Sequence, residues 1–108
     1  MRFETITFET KDRVGTLTMN RPDEANALNA QMAKELFEIS VLCSRDKSLG
    51  ALIVTANGKM FNAGGDLREF DDPPGGRKDE HLSRVASDLH NAIIRFQYMD
   101  APVIMAIN

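Results

Sequence analysis

The sequence predicts an α/β fold, and three observations carry the prediction. Two β-rich runs, an alternating one at residues 3–8 and a second at 14–19, precede an apolar stripe of helical period over 28–45. A short apolar, β-branched run, Gly50-Ala51-Leu52-Ile53-Val54-Thr55, comes directly after that helical stretch. A second helical stripe and a second apolar run, Ala101 to Ile107, repeat the alternation.

The elements follow in order. Phe3, Thr5 and Thr7 alternate with Glu4, Ile6 and Phe8, so residues 3–8 read as a strand, and Val14 to Met19 as a second one beyond the charged turn Lys11-Asp12-Arg13. Asn20-Arg21-Pro22-Asp23 ends the pair, because proline fixes its own φ and disfavours helix at the residue before it. Leu28, Met32, Leu36, Ile39 and Cys43 then form the stripe of an amphipathic helix, capped by Asn29 and ending near Arg45. The run at 50–55 lacks polar alternation, which predicts a strand buried on both faces of a parallel sheet and reached by a crossover.

Asn57-Gly58-Lys59 reads as a turn and Asp66 to Phe70 as a helical turn. Asp71 to Lys78 gathers Pro73, Pro74, Gly75 and Gly76 with charges and is expected to be a mobile loop. A second long helix presents Leu82, Val85, Leu89, Ile93 and Phe96 as its stripe, and Ala101 to Ile107 reads as a further buried strand. Such a strand needs neighbours on both sides, so the expectation is a covering subunit or a longer protein of which this is the N-terminal part.

Composition narrows the function. A chain of 108 residues, 43% hydrophobic and 27% charged, is about one domain. Its net charge of -3 comes with no basic stripe, which argues against nucleic acid as a partner. The single cysteine, Cys43, permits no intrachain disulfide and fits a reducing cytoplasm. The opening residues lack a signal-peptide pattern, and no apolar run reaches the ~18 residues of a membrane span, so the protein is expected to be soluble and unprocessed.

The chemistry concentrates at Phe61-Asn62-Ala63-Gly64-Gly65-Asp66-Leu67, where a buried strand leads through a glycine turn into a helix start. Such a turn exposes backbone N–H groups to an anion or oxyanion, and glycine permits close approach. By itself it is also what a tight turn with Asp66 as N-cap looks like. Three pieces together are more specific. Asn20-Arg21-Pro22 with Asn26-Ala27-Leu28, then Phe61 to Leu67, then Ala101-Pro102-Val103-Ile104-Met105-Ala106-Ile107-Asn108 closely resemble the enoyl-CoA hydratase/isomerase (crotonase) superfamily in order and spacing.

The resemblance covers essentially the whole chain and implies the N-terminal portion of a crotonase-like (ClpP/crotonase) spiral of strand-strand-helix units. It implies acyl-CoA thioester chemistry through an enolate-like transition state, with coenzyme A entering as part of the substrate and no covalently bound cofactor. Gly65 matches the backbone donor to the thioester oxygen. Ala63 and Gly64 match the stretch lining the CoA thioester and adenine pocket, and Asp23, Glu24, Ala25 and Ala27 match the loop that packs against CoA. Asp66 and Leu67 would flank the acyl pocket, Asp66 as a cap rather than an acid; the loop at 71–78 reads either as a solvated flexible loop or as a lid, with Phe70 and Leu67 against the acyl chain. Trimers or pairs of trimers are the family's habit, so a homo-oligomer is expected.

The family's second oxyanion donor and its acid–base glutamates fall beyond the position matching Asn108, so the chain alone is expected to be nearly inactive. Ala101 stands where a lysine often precedes the proline. Other crotonase reactions remain open, namely acyl-CoA hydrolysis, decarboxylation and dienoyl isomerisation, as does a non-catalytic CoA-binding or assembly module. His81 and His90, nine apart, do not form a metal pair and read as exposed helix residues. Glu69 and Asp72 read as solvated charges at a helix end, and Cys43 as a buried structural thiol.

Overall fold

The computed structural model describes residues 2–108 and orders them as β1 (Ile6–Lys11), β2 (Val14–Met19), a 3₁₀ turn at Pro22–Glu24, α1 (Ala30–Arg45), β3 (Ala51–Ala56), α2 (Leu67–Asp71), α3 (Lys78–Tyr98) and β4 (Val103–Met105). The strands form one sheet in the order β1-β2-β3-β4. β1 and β2 are antiparallel, and their hairpin turns through Asp12 and Arg13, both in the left-handed region at φ 53° and 68°. Crossing over through α1 brings β3 parallel to β2, and α3 does the same for β4 on β3.

One face of the sheet makes the core. Leu17 pairs with Val54 and Met19 with Ala56, and these side chains share a buried cluster with Met32, Ala33, Leu36, Ile39 and Cys43 of α1. α3 packs along α1 and adds Val85 and Ala92 to the same cluster. Asn29 caps α1 as the sequence predicts, accepting from the Met32 N–H at 2.8 Å. The buried Cys43 thiol is pushed up to about 11, first by burial and then by Asp46, which suits a structural role.

Several expectations are corrected. The first strand begins at Ile6 rather than Phe3, because Glu4 and Thr5 are engaged by the carboxylate of Glu35 instead of by β2. β3 is not covered on both faces: Leu52, Val54 and Ala56 are buried while Ala51, Ile53 and Thr55 are half-buried, since both long helices lie against one face. The last apolar run yields only the three-residue β4, with Ile104, Met105 and Ile107 exposed at the sheet edge. α3 departs in part from the expected stripe. Val85, Leu89 and Phe96 of that stripe pack on the core as expected, but Leu82 and Ile93 face outward and His81 and Ala92 are buried in their place. Asp71 and Lys78 belong to α2 and α3, so the irregular stretch between these helices is 72–77.

Candidate active site

The C-terminal end of β3 opens into the 57–66 segment, which folds back onto the 20–28 segment leaving β2. Asn26 is the centre of this junction. Its side chain is fully buried and accepts from the Arg21 N–H at 2.7 Å, while its amide nitrogen donates to the carbonyls of Asn57 and Met60, each at 2.8 Å. Ala25 and Asn26 both sit in the left-handed region, at φ 52° and 55°, so the chain reverses sharply without glycine. Asn62 locks the other side, donating to the Asn26 carbonyl at 2.6 Å and accepting from the Gly64 N–H at 2.7 Å.

The two loops then run side by side. The Ala63 N–H donates to Ala25 O at 3.1 Å, the Leu28 N–H to Gly64 O at 2.7 Å, and the Asp66 N–H to Leu28 O at 2.9 Å, a short parallel bridge between Leu28 and Gly65. This pattern aims one group outward. In a trans peptide the C=O and N–H point in opposite directions, so the unit whose Gly64 carbonyl faces Leu28 must turn the Gly65 N–H away from that loop. Gly65 is exposed, and its N–H has no hydrogen-bond acceptor among the described residues. A Cβ at Gly65 would overlap the Phe70 ring, 2.9 Å from Cζ, whereas Gly64 needs glycine for its φ of +97°.

Asp66 caps α2 by accepting from the Glu69 N–H at 3.2 Å and lies 3.1 Å from the Arg21 guanidinium. Burial pushes its carboxyl up, but the Glu69 N–H and Arg21 outweigh that and hold it below the ordinary carboxylate value. Asp66 is therefore ionised at neutral pH and serves as an acceptor, in keeping with a cap. Arg21 also donates to the Ala27 carbonyl, joining both loops through one side chain.

Of the residues singled out from the sequence, Ala25, Ala27, Ala63, Gly64, Gly65 and Asp66 come together here. Asp23 and Glu24 form the neighbouring 3₁₀ turn, where Glu24 pairs with Arg68 of α2. Leu67 points to solvent at 78% exposure, and Phe70 is half-buried between Gly65 and His81.

Two readings are overturned nearby. His81 is only 6% exposed, because α3 turns that face towards α2, while His90 is exposed as expected. Glu69 is not a free surface charge: its Oε2 accepts from the Ala30 N–H at 2.8 Å and lies 3.2 Å from His81 Nε2. Asp72 is exposed. Sequence reasoning also passed over Asn26, Asn62 and Arg21 as site-forming residues. The available signal was a polar residue inside each recurring loop motif, next to residues with no side chain able to hold the turn.

A cavity of about 510 Å³ lies elsewhere, between the end of α3 and β4, lined by Ile93, Phe96, Pro102 and Met105 among others. Among the described residues no group of His, Cys, Asp and Glu could hold a metal ion, and no helix is long and apolar enough to cross a membrane.

The sequence model for enoyl-CoA hydratase/isomerase matches residues 9–108. The chain belongs to the enoyl-CoA hydratase/isomerase family. A probable enoyl-CoA hydratase of Mycobacterium bovis is 42% identical over 72 residues, 67% of this chain and 28% of that protein. 4-Chlorobenzoyl coenzyme A dehalogenase-2 of an Arthrobacter species is 33% identical over 95% of this chain and 37% of its own length. The crystal structure of an enoyl-CoA hydratase from Mycobacterium smegmatis superposes with a TM-score of 0.86 at 31% identity, covering 96% of this chain and 40% of that one. The crotonase fold is thus shared, and the chain spans under half the length of these family members.

Proposed function

We propose that this chain contributes the first half of an acyl-CoA thioester site, with the Gly65 N–H as one backbone donor to the thioester oxygen. The observation that carries the reading is the outward Gly65 N–H, exposed, without an acceptor among the described residues, and fixed by the Leu28 N–H bond to the Gly64 carbonyl. A donor held in place before the reaction stabilises negative charge as it develops on the oxygen, and one such donor typically carries ~10²- to 10³-fold in rate. Ala63 and Gly64 would lie along the thioester, and the Asp23, Glu24, Ala25 and Ala27 loop would pack against CoA. Leu67, fully presented to solvent, and Asp66 would border the acyl chain.

The reaction on the bound thioester is the second level of the reading. Hydration or isomerisation of an enoyl-CoA fits the family, while the dehalogenase name of one relative keeps a different reaction on a polarised thioester in view. Both need the same donor. General acid–base groups contribute ~10² to 10⁴, and the resemblance puts them, with the second donor, past Asn108. The 108-residue chain alone is expected to bind an acyl-CoA and to be nearly inactive, as part of a cytoplasmic homo-oligomer.

The test is calorimetric titration with crotonyl-CoA and with CoA. Saturable binding of crotonyl-CoA that weakens in Gly65→Pro, which has no N–H, beyond any loss in Gly65→Ala, which sets the same Cβ against Phe70 but keeps the N–H, supports the reading. Equal affinity of Gly65→Pro and Gly65→Ala for crotonyl-CoA, or no binding of either ligand, rejects it.

A further inference from the structure

The buried His81 and the partly buried Glu69 take no part in the thioester contacts just described, yet they adjoin the residue that makes them. Glu69 Oε2 accepts from the Ala30 N–H, the first N–H of α1, at 2.8 Å. The same oxygen lies 3.2 Å from His81 Nε2, at ion-pair distance but off hydrogen-bond alignment, and that nitrogen has no other partner among the described residues. One carboxylate on α2 thus meets the start of α1 and the inner face of α3. The His81 ring is also edge-on to Phe70, with centroids 5.7 Å apart and planes at 68°. Phe70 in turn fills the space where a side chain on Gly65 would be.

Gly65 is therefore held from two sides. Leu28 fixes the 64–65 peptide by hydrogen bonds, and two residues further along Ala30 is tied to Glu69 on the helix that follows Gly65. Behind the turn, Phe70 rests on His81. We propose that Glu69 and His81 are positioning residues for the Gly65 N–H: they hold α2 and the Phe70 ring against α1 and α3, so that the 64–65 peptide keeps one orientation. The proposal rests on the thioester reading for its use, though the positioning itself is a property of the unliganded chain. The cost falls on His81: a buried ring nitrogen with no aligned partner among the described residues is an expensive way to join these helices if packing were its only purpose.

The experiment compares the parent chain with His81→Leu, which removes the ring nitrogen, His81→Gln, which restores a donor towards Glu69, and Glu69→Gln, which keeps an acceptor for Ala30. Backbone amide resonances are recorded for each without ligand. The probes are then acetoacetyl-CoA, whose enolate places charge on the thioester oxygen, and CoA alone.

The proposal expects the Gly65 amide resonance to shift or broaden in His81→Leu and to return towards the parent position in His81→Gln, with the amides of β2 and β3 unmoved. It also expects the preference for acetoacetyl-CoA over CoA, and the enolate absorbance of the bound ligand, to fall about tenfold in His81→Leu with CoA affinity unchanged. An unmoved Gly65 amide in a folded His81→Leu chain overturns it, whichever ligand binds. If His81→Leu does not fold, the Glu69→Gln amide spectrum decides in the same way. Absence of thioester preference in the parent chain, with the Gly65 amide moving as expected, removes the thioester reading and leaves the positioning pair standing.

Discussion

Gly65 and Gly64 are adjacent glycines needed for different reasons, and substitution separates them. Alanine at Gly64 has open space around it but must adopt a φ of +97°, a backbone cost of roughly 1–2 kcal/mol. At Gly65 the backbone is ordinary and the obstacle is the Phe70 ring, so Gly65→Ala costs roughly 1–3 kcal/mol through overpacking. The two mechanisms differ in a double-mutant cycle measured by urea unfolding. Phe70→Ala should relieve Gly65→Ala, giving a coupling of about 1 kcal/mol, and should be additive with Gly64→Ala. Additivity in both cycles would mean that Phe70 does not fill the Gly65 face. Asn26 makes a sharper prediction. Asn26→Ala removes three hydrogen bonds of a fully buried side chain, those to the carbonyls of Asn57 and Met60 and from the Arg21 N–H, for an expected loss of roughly 1–3 kcal/mol in the same measurement.

At the scale of elements, Glu35 joins the entry of β1 to α1. Burial pushes its carboxyl up, but the hydroxyl of Thr5, the Gln31 amide and the N–H groups of Glu4 and Thr5 outweigh burial, leaving it below its ordinary value of 4.5. A depressed folded-state value stabilises the fold above the unfolded-state value, and the contribution disappears as pH falls through the folded one. Urea midpoints should therefore decline more steeply below about pH 4.5 in the parent chain than in Glu35→Gln, which has no such proton to take up. Parallel curves would place the acid sensitivity elsewhere. The same residue shows where sequence reading stops. The 3.6-residue period located α1 and its Asn29 cap well, because both depend on neighbours a turn away. Glu35, lying on the buried side of that helix, is explained only by Glu4 and Thr5, thirty residues earlier. α3 was legible as a helix and its rotation only in part: Val85, Leu89 and Phe96 face the core as their spacing says, while the choice of His81 and Ala92 over Leu82 and Ile93 beside them is made by packing on α1 and α2. The loops holding Gly65 were legible through their motifs, while the carbonyl-to-amide register that aims the N–H was not.

Across the whole molecule, burial is highest in the middle strands of the sheet and falls at both edges. β2 lies between β1 and β3 over its full length, and its Leu17 and Met19 meet α1, so its amides open only when the core does. β4 is joined to β3 over three residue pairs, extended by the Leu52 N–H to Pro102 O and the Ala106 N–H to Val54 O, and its outer edge is unpaired among the described residues. Its Ile104 and Met105 are half exposed, which removes most of the apolar burial that would hold a short edge strand in place. Local opening free energy follows such differences in buried contacts and shared hydrogen bonds. Amide hydrogen exchange should therefore rank β4 among the fastest regular segments, the α1 face of α3 between, and β2, the inner residues of β3 and the core turns of α1 slowest, the last group exchanging near the global unfolding rate. Exchange of the β4 amides as slow as those of β2 would show that the edge is covered in solution, and dilution would then reveal whether a second copy covers it.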